Sequence, residues 1–171
     1  SEKFNMLKPY IQISEAFRRK QDTLHFIKKA EKDTLAVYKY PEGTLVDLNE
    51  ADTTELKKIP GIGSGIARMI VAYRKRLGGF YDMAQLKEVN YVDEDMLRWF
   101  KLGNAPIHRI NANKAGLDKL RSHPYMNFYQ AKVIIEYRRK KGKLKSLSQL
   151  SLYEEFTEKD LERLSHYLAF D

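Results

Sequence analysis

Apolar positions along this chain recur at helical spacing, in short pulses separated by glycine and proline. Ile66, Ile70, Tyr73 and Leu77 stand four, three and four residues apart, which is the stripe of one buried helix face. Ser64 opens that helix, and Gly78-Gly79 closes it with residues that tolerate a left-handed cap. Upstream, Asn49 or Asp52 is placed to cap a short helix running to about Ile59, with Leu56 and Ile59 buried. Pro60 ends it, and Gly61 and Gly63 permit positive φ in the tight turn that follows. Two more short helices are expected, at about Met83–Val89 behind Asp82 and about Glu94–Phe100 behind Asp93. Helices this short do not stand alone in water and must pack into one cluster. No segment shows strand periodicity, so the fold class is all-α: small clusters of short helices.

The pattern then repeats. Sliding the chain by 64 positions lays Val46–Leu86 on Ile110–Leu150 without a gap, with 11 identities in 41 pairs. They include Asn49/Asn113, Ala51/Ala115, Pro60/Pro124, Ala67/Ala131, Tyr73/Tyr137, Arg74/Arg138 and Gln85/Gln149. Residues 46–104 therefore form one repeat unit and residues 105–171 a second. Phe4, Leu7, Tyr10 and Ile11 reproduce the spacing of Leu161, Leu164, Tyr167 and Leu168, so residues 1–13 read as the tail of an upstream unit in a longer parent. Residues 14–45 read as a partly helical linker ending in the turn Pro41-Glu42-Gly43.

The turn at Pro60–Gly63 carries the chemistry. Two glycines remove Cβ atoms where a phosphate would approach, and free amides at a helix start point outward. Ile62 turns inward as the anchor, and Ala67 is small where the two helices cross. The spacing Leu56-x-x-Ile59-Pro60-Gly61-Ile62-Gly63-x-x-x-Ala67-x-x-Ile70 resembles the helix-hairpin-helix motif of proteins that bind DNA without reading its sequence. The opening Leu48-Asn49-Glu50-Ala51-Asp52, and Tyr73-Arg74 followed by Gly78-Gly79-Phe80, resemble the ComEA type, the DNA receptors of bacterial competence. That resemblance implies tandem helix-hairpin-helix repeats in small helical clusters of the SAM-domain-like kind, two hairpins per unit, and double-stranded DNA as partner. It also implies a membrane-anchored or periplasmic placement through an upstream segment. The phosphate site it implies is Gly61, Ile62, Gly63 and Ser64, with Arg68 in support.

The other three hairpins depart from that chemistry. Val89-Asn90-Tyr91-Val92-Asp93 is followed by Glu94 and Asp95, and those carboxylates repel a phosphate. His123-Pro124-Tyr125-Met126-Asn127 has lost both glycines, and Tyr153-Glu154-Glu155-Phe156-Thr157 is acidic. The alternative reading is therefore a non-catalytic protein-interaction scaffold that kept the fold after losing DNA.

Charge narrows the choice only slightly. The chain has net charge +8 from 31 basic and 23 acidic residues, yet residues 46–104 are balanced at nine against nine. Arg74, Lys75 and Arg76 lie roughly 17–20 Å beyond the hairpin along the helix. With Arg138, Arg139, Lys140 and Lys141 they form a candidate second basic patch, or else a set of cations complementing helix C-termini. Tyr73, Tyr125, Tyr129, Tyr137 and Trp99 are expected in the core rather than stacked on bases. The chain contains no cysteine, and its four histidines are scattered. With no nucleotide loop, nucleophile motif or metal cluster, the sequence points to a non-enzymatic module without cofactor, metal or small-molecule substrate. No apolar run reaches membrane-spanning length.

Overall fold

The computed structural model describes residues 38–171, so the readings for residues 1–13 and most of 14–45 lie outside the described residues. Lys39–Asp171 form one compact unit. Its first repeat runs β1 (Val46–Asp47), α1 (Thr53–Leu56), α2 (Ser64–Leu77), a 3-10 helix at Met83–Glu88, α3 (Glu94–Leu97) and β2 (Phe100–Lys101). The second runs β3 (Ile110–Asn111), α4 (Leu117–Arg121), α5 (Phe128–Lys141), a 3-10 helix at Leu147–Gln149, α6 (Glu158–Ser165) and β4 (Leu168–Ala169).

The architecture is helical, with one addition to the sequence expectation. Each repeat is closed by a two-residue parallel ladder, Val46 on Phe100 and Ile110 on Leu168, where no strand was expected. A ladder of two residues is too short to leave a period in the sequence. The short helices are also shorter than expected: α1 stops at Leu56 and α3 at Leu97, because turn bonds take over immediately after.

Local chemistry explains the boundaries. Asp52, not Asn49, caps α1, accepting from the Thr54 and Glu55 amides in a capping box with Glu55. Asn49 instead reaches across the repeat, accepting from Phe80 N at 2.8 Å and donating to Phe80 O at 2.9 Å. Asn113 does the same to Leu144. Gly78 ends α2 at φ +93, and a Cβ there would lie 2.4 Å from His108 O, so glycine is required twice over.

Two apolar cores result, one per repeat, with Leu48, Leu56, Ile59, Ile62, Ala67 and Ile70 in the first and Ala112, Leu120, Ala131, Ile134 and Leu164 in the second. They are not independent. Tyr167 of repeat 2 is fully buried in the core of repeat 1. The first repeat also begins earlier than residue 46: Tyr40 packs on its core and donates from its amide to Lys58 O at 2.8 Å.

Candidate nucleic-acid interface

Among the described residues the same turn is built four times. Ile62 N donates to Ile59 O at 3.1 Å, Val92 N to Val89 O at 3.2 Å, Met126 N to His123 O at 3.1 Å and Phe156 N to Tyr153 O at 3.1 Å. Each turn leads into a helix through a residue in extended conformation: Gly63, Asp93, Asn127 or Thr157. What differs is the occupancy of the helix N-terminus. Asp93 accepts from Met96 N, Asn127 from Gln130 N and Thr157 from Asp160 N. Gly63 supplies no cap at all, so α2 alone among the four hairpin helices presents its first amides without a side chain on them.

The five expected site residues divide their roles. Gly61 sits at φ +84, the third residue of the turn, and a Cβ there would lie 3.1 Å from Met96 Cε. Gly63 does not need positive φ, contrary to expectation; its φ is −97, open to any residue, and nothing lies within 4 Å of a Cβ built on it. Its contribution is the missing side chain. Ile62 is buried and its amide is spent inside the turn, so it is the anchor and not a phosphate donor. Ser64 is exposed at the start of α2. Arg68 is exposed too, and its Nε donates to Ser64 O at 3.2 Å, which folds the guanidinium back to the first turn.

One contributor was not visible in the sequence. Lys39 Nζ donates to Lys57 O at 2.6 Å, Ile59 O at 3.1 Å and Ile62 O at 3.4 Å. One ammonium thus gathers three carbonyls at the end of α1 and the turn, and it places a positive charge behind the hairpin. No periodicity marks a lone lysine that far upstream; the turn at Pro41–Gly43, which folds the chain back, was the available signal.

The second basic patch is partly dismantled. Arg74 is structural: its Nη1 donates to Leu48 O and Ala51 O, both at 2.8 Å, holding the loop between β1 and α1. Arg138 does likewise on Ala115 O at 2.6 Å. Partial burial lowers the Arg74 pKa from its ordinary value without removing its charge. Arg76 reaches Ser122 O across the repeat boundary, Lys140 pairs with Glu136 at 3.6 Å, and Lys141 lies over the Tyr137 and Tyr153 rings. Lys75 and Arg139 are exposed. Trp99 and Tyr137 are buried as expected and Tyr73 is half-buried, whereas Tyr129 is 67% exposed and belongs to no core.

The third hairpin has become a brace between the repeats. His123 is buried, with Nε2 against Leu77 O at 3.0 Å and Nδ1 accepting from Tyr125 N at 3.2 Å. Tyr125, standing where repeat 1 has Gly61, accepts from Gln85 and donates to Glu88, both at 2.8 Å. Gln85 also donates to Tyr167 OH, which donates onward to Gly79 O at 2.9 Å. Desolvation raises the Tyr125 pKa to about 12, and burial raises that of Tyr167 as well, so both phenols remain neutral donors.

Residues 42–99 and 106–169 each match the helix-hairpin-helix motif. The chain belongs to the helix-hairpin-helix family. Motifs of this family generally bind DNA without reading its sequence. The chain is similar to the mouse protein named Endonuclease/exonuclease/phosphatase family domain-containing protein 1, 27% identical over 154 residues, covering 71% of this chain and 27% of that protein. The Danio rerio protein of the same name is 28% identical over 127 residues, covering 61% of this chain and 23% of its own length. The chain spans about a quarter of the length of these relatives. No solved structure matches it.

Proposed function

We propose that this chain is a non-catalytic duplex-DNA-binding module that contacts phosphate, without sequence preference, through the amides at Gly63 and Ser64. Gly61 and Ile62 shape the turn that presents them, and Arg68 and Lys39 supply positive charge. One observation carries the reading: among the described residues, α2 is the only helix following a hairpin turn whose N-terminus is left without a side-chain cap, and the space before it is open. Amides so exposed and a helix dipole favour an anion, and a phosphate contact of this kind reads backbone instead of bases.

The residues that resemble the competence receptors support the scaffold more than the site. Asn49, Asp52 and Arg74 are all consumed in holding the repeat together. The name of the relatives motivates the further proposal that the module tethers a longer protein to DNA.

A single aspartate tests the reading. Gly63→Asp installs the cap that hairpin 2 already carries, at a φ that aspartate adopts freely. The fold should be retained and stabilised by a few tenths of a kcal/mol, while binding to random-sequence duplex at low salt should be lost. Gly63→Asn, which caps without charge, should bind more weakly than the parent and more strongly than the aspartate variant. Unchanged affinity in Gly63→Asp would sink the mechanism, and no binding by the parent protein would leave the scaffold reading in its place.

A further inference from the structure

We infer that the hairpin face of repeat 2 is a docking surface for an arginine- or lysine-bearing segment of a partner protein. The third hairpin already contacts protein within this molecule, through His123 and Tyr125. At its tip, the Arg163 guanidinium lies 4.7 Å from the centre of the Tyr125 ring and 3.5 Å from the Glu88 carboxylate. An aromatic face and a carboxylate thus hold one guanidinium between the repeats, a combination that suits its planar, weakly hydrated charge.

The same chemistry continues outward from that interface. Immediately after Asn127, the chain exposes Phe128 (44%) and Tyr129 (67%) as an edge-on pair with ring centres 5.6 Å apart. Beside them, a groove of about 330 Å³ runs between the third hairpin and the start of α6, with Asn127, Gln130, Glu155 and Asp160 in its walls. Tyr125 and Arg163 line this groove as well, so it is continuous with the interface between the repeats. Gln130 Nε2 donates to Glu155 O at 2.9 Å, which ties the fourth hairpin to the third.

Charge selects the occupant. Glu154, Glu155 and Glu158 are exposed and none forms an ion pair among the described residues, with Lys159 the lone cation in the run from Glu154 to Asp160. In a chain of net charge +8 this face is locally acidic. It repels DNA and draws cations, and the exposed rings favour cations that can lie on an aromatic face. The inference does not depend on phosphate binding by the first hairpin.

The probe is a fluorescein-labelled peptide of alternating arginine and glycine, with citrulline in place of arginine as the neutral control. Anisotropy is read on the whole chain at roughly physiological salt, where simple surface attraction is screened. The arginine peptide should bind and the citrulline peptide should not. Phe128→Ala/Tyr129→Ala and, separately, Glu154→Gln/Glu155→Gln should each weaken binding by about tenfold. These side chains are exposed, and circular dichroism checks that the helices persist. Gly63→Asp should leave peptide binding unchanged. Equal binding by the parent and the aromatic variant would overturn the proposal, as would no binding at that salt. Concentration-dependent self-association abolished by Phe128→Ala/Tyr129→Ala would overturn it in favour of a second copy of the chain.

Discussion

At the scale of single residues, the two glycines of the first hairpin do unlike work. Gly61 needs its left-handed backbone and has a methyl group of Met96 in the way of any Cβ. Gly61→Ala should therefore destabilise the fold by about 1–2 kcal/mol, whereas Gly63→Ala should change stability by under about 1 kcal/mol. Denaturant titration of the pair checks the contrast. Tyr91 offers the reverse experiment. It occupies the Gly61 position of the second hairpin at φ +65 and is 79% exposed, so its ring contributes little to packing. Tyr91→Gly should stabilise by about 0.5–1 kcal/mol, the relief of left-handed strain less the added freedom of glycine in the unfolded chain. A lower denaturation midpoint would refute that account.

At the scale of elements, the repeats are held by side chains that cross between segments far apart in sequence. Arg74 fastens two carbonyls of the loop ahead of α1 from a position late in α2. Arg74→Met should cost roughly 2 kcal/mol, since the carbonyls lose a charge-assisted donor, and phosphate affinity should otherwise be preserved. If affinity falls while stability holds, Arg74 belongs to a binding patch after all. This division also marks how much was legible beforehand. Helical stripes such as Ile66–Leu77, caps such as Asp52 and Asp82, and the gapless duplication all rest on local spacing, and the structure reproduces them. Arg74, Asn49 and Lys39 act through partners 18 to 31 residues away, and local spacing carries no record of such contacts. A run of three cations on a helix end looks the same whether it faces solvent or reaches back to a loop. Tyr129 was misplaced for a related reason: it follows the helix cap, where the core stripe has not yet begun.

At the scale of the whole molecule, the two repeats unfold as one if the brace is what couples them. Tyr167 fills the core of its neighbour, and Gln85, Glu88, Tyr125 and Arg163 span the boundary. His123 makes that coupling depend on pH. Burial lowers its pKa to about 4, with Arg76 and Lys119 also disfavouring its charge and the bond to Leu77 O opposing both. The neutral ring donates from Nε2 and accepts at Nδ1; protonation would set a second N–H against the Tyr125 amide. Below its ordinary value of 6.5 the unfolded state binds the proton and the folded state does not. The contribution is therefore complete above pH 6.5 and is lost as pH falls toward 4, on the order of 2–3 kcal/mol across that window. Thermal unfolding of the parent should show one transition whose midpoint falls between pH 6.5 and 5, a slope that His123→Gln should lack. Parallel slopes would remove His123 from the explanation.

The two short ladders have a mechanical consequence. In each repeat the first strand and the last run side by side in the same direction, Val46 with Phe100 and Ile110 with Leu168. Tension applied at the two ends of a repeat therefore pulls its ladder along the strands, in shear, and the hydrogen bonds must fail together rather than unzip one at a time. Two residues make a small clasp, but it sits where a pull along the chain enters and leaves each repeat. A pull that enters a repeat at one end and leaves it at the other would meet that clasp before the helices behind it.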